Sequence, residues 1–173
     1  MSRRHLLLVG LPGSGKTTVG RLVSERLAAP LIDIDNLLVR QMGMPVAQIF
    51  GKVGEAEFRR MERDAVRAAC TGGPGVIVPG AGWAAQEGEL EAARASCCII
   101  YLRCQPSTAV KRTEGGEARP LLTSDPLAQM RTLLQEREAH YARAEHQLAT
   151  DARTPEVTAD EVIKLARQSA GWA

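Results

Sequence analysis

Gly10-Leu11-Pro12-Gly13-Ser14-Gly15-Lys16-Thr17 matches the pattern G-x-x-x-x-G-K-[ST] in full. The apolar run His5 to Gly10 precedes the match and a segment with helical spacing follows it, which is the setting of a phosphate-binding loop. In such a loop, backbone N–H groups and the positive end of the following helix surround the phosphates. We therefore predict ATP binding, with Lys16 of this solvent-reachable loop as a point charge at the β- and γ-phosphates and the Thr17 hydroxyl on Mg²⁺. The predicted ATP contacts in this segment are Gly13, Ser14, Gly15, Lys16, Thr17 and Thr18.

Further apolar runs of strand length are bounded by turn residues. They are Pro30 to Asp35, Gly75 to Gly80, Ser96 to Arg103 and His146 to Asp151. Each is too short for a helix and fits a strand buried on both faces, as in a parallel sheet. Because segments with helical spacing separate these runs, we predict an α/β fold, a three-layer α/β/α sandwich around a five-stranded parallel sheet.

The domain organisation is inferred from the length of the chain and from one segment that is rich in glycine and proline. At 173 residues with 45% hydrophobic content, the chain can bury one substantial core, so we expect a single domain over residues 1–173. The stretch Thr113 to Asp125 contains Gly115, Gly116 and Pro120 but little apolar periodicity. It predicts a mobile loop, the lid of about residues 113–126.

Composition and charge argue against large polyanionic or lipid partners. The formal net charge is +2 and aromatic residues make up 3%, so neither a basic face nor a stacking platform for nucleic acid is expected. No apolar stretch approaches the ~20 residues of a membrane span, and the run Leu6 to Val9 stops well before the length of a signal sequence. These features favour a cytoplasmic protein that binds a small polar ligand.

Four cysteines are present, at positions 70, 97, 98 and 104. Cys97 and Cys98 are adjacent on a predicted strand, so their side chains should point to opposite faces, and no Cys/His spacing of a zinc site occurs. We expect reduced, partly buried thiols in a cytosolic protein.

Two carboxylates close the second predicted strand, in Leu31-Ile32-Asp33-Ile34-Asp35. The alternation of this strand places Asp33 and Asp35 on one face at its carboxyl end, where ligands sit in open α/β sheets. Asp33 could hold a magnesium-bound water, and Asp35 could orient or deprotonate an acceptor hydroxyl. For either residue alone, capping a helix from Asn36 onward is the alternative.

Over nearly the whole chain, the order and spacing of the distinctive residues resemble those of the shikimate kinase family. They are the loop from Gly10 to Thr17, Asp33-Ile34-Asp35, Gly43 through Phe50, Gly54-Glu55 with Phe58-Arg59 and Glu62, Gly80-Ala81-Gly82, Arg119-Pro120-Leu121-Leu122, and Arg137 with Tyr141. The resemblance implies a P-loop kinase fold with a mobile lid. It implies a substrate-binding segment of about residues 33–63.

The resemblance also implies the acceptor site. Asp35, Arg59 and Arg137 are implied to hold shikimate, with Glu62 orienting Arg59 from one helical turn away. Independently of the resemblance, two guanidinium groups can hold a carboxylate through charge-assisted hydrogen bonds. An arginine on a solvated helix face is the alternative for Arg59.

A glycine-rich turn next to the acceptor site departs from the family pattern. Gly80, Ala81 and Gly82 are the implied substrate contacts there, where the family has three consecutive glycines. A positive φ at Ala81 would cost roughly 1–2 kcal/mol.

For the nucleotide side, the resemblance implies that the lid residue Arg119 meets the charge that develops on the transferring phosphoryl group. Arg112 resembles a residue that stacks on adenine, and Arg153 with Pro155 would complete that slot.

The combined prediction is a monomeric enzyme that transfers the γ-phosphoryl group of Mg·ATP to the 3-hydroxyl of shikimate, toward chorismate and the aromatic amino acids. Lys16, Asp35 and Arg119 are its predicted catalytic residues. A gluconate or nucleoside monophosphate kinase of the same architecture is one alternative. A kinase-like module that senses its ligand without reacting is another, although Lys16, Thr17, Asp33 and Arg119 are all intact.

Overall fold

The computed structural model describes residues 2–114 and 124–173. In this part of the chain five parallel strands form one sheet in the order β2-β3-β1-β4-β5. The strands are β1 His5–Val9, β2 Leu31–Asp33, β3 Val76–Val78, β4 Cys97–Arg103 and β5 His146–Ala149. All five predicted strands are therefore confirmed, with bounds one to three residues shorter than the apolar runs.

Eight α-helices connect the strands within the described ranges. They are α1 Lys16–Leu27, α2 Ile34–Met42, α3 Val46–Val53, α4 Glu55–Cys70, α5 Glu89–Ala93, α6 Pro106–Thr113, α7 Pro126–Tyr141 and α8 Pro155–Ser169. A short 3-10 turn, Trp83–Ala85, precedes α5. Among these helices none combines the length and the apolar character needed to cross a membrane.

Side chains that alternate along the strands supply two cores, one on each face of the sheet. Leu6 and Leu8 of β1 pack with α1 and α8. Leu7 and Val9 pack on the opposite face with α2, α3, α4 and α7. The predicted three-layer sandwich is therefore confirmed. Cys97 and Cys98 follow the same alternation. Cys97 lies in the core that contains Leu7 and Val9, and Cys98 lies in the core that contains Leu6 and Leu8.

The second strand is shorter than predicted, and this changes the role of its carboxylates. β2 ends at Asp33 and α2 begins at Ile34, so Asp35 lies in the first turn of a helix. The prediction that both carboxylates extend from one face of a strand was wrong. Asp33 has extended backbone angles, and its Oδ1 accepts a hydrogen bond from the Asn36 N–H at 3.1 Å, which caps the helix.

The predicted lid lies largely outside the described residues. α6 ends at Thr113 and α7 begins at Pro126, with Asp125 Oδ1 accepting from the Ala128 N–H at 3.1 Å. Proline at the first position and an aspartate cap are both favourable helix starts. Arg119 lies in the segment that is not described.

Candidate active site

A cleft of about 710 Å³ opens at the carboxyl ends of the strands, between the phosphate loop, the starts of α2 and α4, the turn after β3, and α7. Every predicted site residue within the described ranges lines this cleft. The lining includes Gly13 to Thr18, Asp33, Asp35, Arg59, Glu62, Gly80, Ala81, Gly82, Arg112, Arg137, Arg153 and Pro155. The structure thus brings nucleotide and acceptor candidates into one space.

Lys16 lies at the start of α1 and folds back onto the phosphate loop. Its Nζ donates to the carbonyl oxygens of Gly10 and Leu11, both at 2.8 Å, and the residue is only 8% exposed. The lysine was expected to be a point charge at a solvent-reachable loop, and within that loop its side chain is largely buried. The ammonium group is held by the loop, at the N-terminal end of the helix dipole, where an anionic phosphate is favoured.

Thr17 and Asp33 form the oxygen pair expected for a divalent cation. The Thr17 hydroxyl donates to Asp33 Oδ2 at 3.0 Å, while Oδ1 of the same carboxylate caps α2. Asp33 therefore caps α2 with one carboxylate oxygen and contacts Thr17 with the other. A hydroxyl and a carboxylate next to a phosphate loop are ligands that suit Mg²⁺.

Arg59 is held in place from two sides on α4. Its Nη1 donates to Glu62 Oε1 at 3.0 Å, one helical turn away. Its guanidinium carbon lies 5.6 Å and 5.8 Å from the ring centres of Phe58 and Phe50. Gln86 Nε2 also donates to Glu62 Oε1, at 2.9 Å. Gln86 therefore holds the Glu62 carboxylate, which in turn holds Arg59.

Glu62 is fully buried, and burial raises its pKa, an effect that Arg59 and Arg137 oppose. Its Oε2 atom has no hydrogen-bond partner among the described residues, and neither does Nη1 of Arg137, which is 8% exposed. Nearby Asp35 adds to the upward pKa shift of Glu62. The acceptor end of the cleft therefore contains a buried cation with unused donor capacity, which suits an anionic or polyhydroxylated ligand.

Tyr141 connects Arg137 to the glycine-rich turn. Its hydroxyl donates to the carbonyl oxygen of Ala81 at 2.6 Å. Burial raises the pKa of Tyr141 to about 12, although the nearby guanidinium of Arg137 opposes this shift, so Tyr141 stays a neutral donor. The turn is thereby tied to α7, the helix that carries both Tyr141 and Arg137.

The structure shows that the turn accommodates alanine at its central position but not at the two glycines beside it. A β-carbon on Gly80 would overlap Glu62 Oε2, and one on Gly82 would lie 2.6 Å from the guanidinium nitrogens of Arg59. Ala81 does not have a positive φ, since Ala28 is the one non-glycine residue in the described ranges that does. The condition under which Ala81 would be strained is therefore not met.

At the other end of the cleft, Arg112 joins the phosphate loop to the segment after β5. Its Nη2 donates to the Thr150 carbonyl at 2.8 Å, and Nη1 lies 3.4 Å from the Gly13 carbonyl. Arg153 and Pro155 are exposed and line the same end. The three residues predicted for the adenine slot are close to one another, as that prediction requires.

Sequence reasoning missed several residues that shape the acceptor end. Phe50 and Leu133 give the cleft apolar walls, and Gln86 supports Glu62. Helical periodicity could identify Leu133 only as a core residue, and Gln86 lies in an irregular segment with no pattern. Trp83, which follows the glycine-rich turn, is fully buried and lines a separate cavity with Cys70 and Glu89.

Comparisons with known proteins agree with this geometry. The family model for shikimate kinase matches residues 12–167. A shikimate kinase from Symbiobacterium thermophilum is 40% identical over 164 residues, covering 92% of this chain and 94% of the relative. The structure of shikimate kinase from Acinetobacter baumannii in complex with shikimate has a TM-score of 0.91 at 28% identity, covering 96% of this chain and 94% of that one.

A gluconokinase from Sinorhizobium meliloti has a TM-score of 0.67 at 17% identity, covering 99% of this chain and 96% of that one, so it shares the fold alone. The relative from Symbiobacterium thermophilum, in contrast, is 40% identical in sequence, and the family model matches residues 12–167. This chain therefore belongs to the shikimate kinase family of ATP-dependent phosphotransferases, as the order and spacing of its site residues predicted.

Proposed function

We propose that this chain transfers the γ-phosphoryl group of ATP to the 3-hydroxyl of shikimate, giving shikimate 3-phosphate and ADP. The observation that carries the proposal is the placement of Arg59, Arg137 and Asp35 in one cleft with the phosphate loop. Two cations suit the carboxylate of shikimate and a carboxylate suits a hydroxyl. The structural relative bound to shikimate supports the same acceptor.

On the nucleotide side, the phosphate loop holds ATP through its backbone N–H groups and Lys16. Thr17 and Asp33 would hold Mg²⁺, which neutralises charge on the phosphate oxygens when bound. Arg112, Arg153 and Pro155 would border the base. Arg119 would add a positive charge from the lid, although it lies outside the described residues.

On the acceptor side, the side chains act by holding and orienting the substrate. Arg59, fixed by Glu62, and Arg137, buried on α7, bind the carboxylate together. Asp35 orients the acceptor hydroxyl and withdraws its proton as the new bond forms. Catalysis then depends mainly on positioning and charge stabilisation.

Coupled detection of ADP tests this function. The full-length chain with ATP and Mg²⁺ should release ADP rapidly with shikimate, and slowly with gluconate or with no acceptor. A chelator that removes Mg²⁺ should stop the reaction, because the phosphate charge is then no longer neutralised. Faster release with gluconate would favour a gluconate kinase, and shikimate binding without ADP release would favour a sensing module.

Asp35→Asn should lower kcat by about 10²-fold or more while changing the KM for shikimate only slightly. The amide keeps an oxygen that accepts a hydrogen bond but cannot take the proton of the hydroxyl. Asp64→Asn, an exposed change on α4, is the matched control and should leave both constants unchanged. An unchanged kcat for Asp35→Asn would remove this residue from catalysis.

The glycine-rich turn gives a second pair of variants. Gly82→Ala should raise the KM for shikimate about tenfold, a change of ~1.4 kcal/mol, because its β-carbon displaces the Arg59 guanidinium. Ala81→Gly should alter KM little, because Ala81 has no strained backbone to relieve. Steady-state kinetics of both variants would measure the two KM values for shikimate. Equal effects of the two changes would contradict the packing argument.

A further inference from the structure

Cys70 and Cys97 form a close pair of thiols outside the cleft. Cys70 is the last residue of α4 and Cys97 is the first residue of β4. Their Sγ atoms are 3.5 Å apart, which is direct contact between sulfur atoms. Cys70 is half-buried and Cys97 is completely buried, so only one member of the pair is reachable from outside.

A small cavity of about 170 Å³ gives access to the exposed member. Cys70 lines it together with Trp83, Glu89 and Arg67. A water molecule takes up about 30 Å³ in the liquid, so a molecule as small as hydrogen peroxide fits beside the thiol. The active-site cleft has no lining residue in common with this cavity.

The two thiols differ in acidity because one stabilises the other. The hydrogen bond from Cys97 lowers the pKa of Cys70 to about 7, although burial and Glu89 oppose this shift. The same hydrogen bond, together with burial, raises the pKa of Cys97. Cys70, the member of the pair that lines the small cavity, is therefore the thiol that a peroxide reaches first, and Cys97 lies in contact with it.

We propose that Cys70 and Cys97 are a modification site at which a hydroperoxide forms an intrachain disulfide. The Cys70 thiolate attacks the peroxide, its sulfur is oxidised to the sulfenic acid, and the O–O bond breaks to release water or an alcohol after protonation. The sulfur of Cys97 then attacks the sulfenic sulfur, an S–S bond forms, and a second water carries away the hydroxyl group and the thiol proton.

The local structure allows the small movement that this bond needs. Bonded sulfurs are about 2.05 Å apart, so the pair must close by about 1.5 Å. Cys70 ends its helix, and the exposed Thr71, Gly72 and Gly73 follow it, so that end is weakly restrained. The disulfide would fasten the end of α4, the helix that carries Arg59 and Glu62, to the central sheet.

The other two cysteines serve as internal controls. Cys98 and Cys104 are buried, and Cys98 points into the opposite core layer from Cys97. Burial raises the pKa of Cys98 to about 11, so it is a poor nucleophile at neutral pH. A reaction that depends on the pair should leave both of them unmodified.

The test adds hydrogen peroxide to the reduced, full-length chain at neutral pH and then counts free thiols in denaturant. We expect the count to fall from the four of the sequence to two, with a mass loss of about 2 Da that dithiothreitol reverses. Tryptic peptide 95–103 contains both Cys97 and Cys98, so the bond is assigned in the Cys98→Ser protein. There peptide 95–103 should be linked to peptide 68–94 through Cys97.

Cys70→Ser and Cys97→Ser should each abolish the link, whereas Cys104→Ser should preserve it. A parent protein that keeps all four thiols would overturn the proposal. So would a link that persists in Cys97→Ser through Cys98, or a disulfide between two chains on a non-reducing gel. None of these measurements depends on kinase activity.

Discussion

Lys16→Met should lower kcat by about 10³-fold, because methionine has a similar length but no charge to place against the β- and γ-phosphates. The structure shows the ammonium group already positioned by the Gly10 and Leu11 carbonyls, so the charge is preorganised at the loop. Steady-state ADP release with ATP and shikimate measures the change. Near-normal turnover of a folded variant would contradict the assignment of this loop as the catalytic phosphate site.

The same variant should also lose some stability. Two carbonyl oxygens of the loop lose their partner, at a cost of about 1–3 kcal/mol if no water replaces the ammonium group. The melting temperature should therefore fall by several degrees while the fold is retained. Lys164→Met, an exposed lysine on α8, is the matched control and should leave both turnover and melting temperature unchanged.

The architecture was largely predictable because it depends on patterns that the sequence shows directly. Apolar runs of strand length alternate with helical periodicity, and that alternation gave the parallel sheet and its layers. The second strand was predicted too long because Ile34 continues the apolar pattern of Leu31 and Ile32. The strand ends earlier because Asp33 Oδ1 accepts a capping hydrogen bond from the Asn36 N–H, which starts the helix. The apolar periodicity of the sequence does not show whether a side chain will cap a helix or continue a strand.

The acceptor end was predictable in its residues but not in its packing. Arg59, Glu62 and Arg137 were identified by resemblance, whereas the need for glycine at Gly80 and Gly82 depends on how closely α4 approaches the turn. The distance between α4 and the turn is set by tertiary packing, and no pattern in the sequence predicts it. For the same reason the difference between Ala81 and its neighbours became interpretable only once the positions of Glu62 and the Arg59 guanidinium were known.

Arg137→Ala should weaken shikimate binding about 30- to 1000-fold, which corresponds to roughly 2–4 kcal/mol, while the affinity for ATP barely changes. Arg137 is buried on α7 and lines the cleft, and its Nη1 has no hydrogen-bond partner among the described residues. Without Arg137, Arg59 is the one arginine left, among the described residues, of the pair proposed to hold the substrate carboxylate. Titration calorimetry with shikimate and ATP, each alone, measures both affinities.

Matched variants separate recognition of the carboxylate from a general loss of structure. Arg131→Ala removes an exposed arginine from the same helix and should not change either affinity, and Arg60→Ala is the equivalent control for Arg59→Ala on α4. Arg137→Lys keeps the charge but loses the planar pair of donors, so its affinity for shikimate should fall between those of the parent and Arg137→Ala. If Arg59→Ala and Arg137→Ala both bind shikimate as tightly as the parent, the arginine pair does not hold the carboxylate, and a different acceptor becomes the better hypothesis.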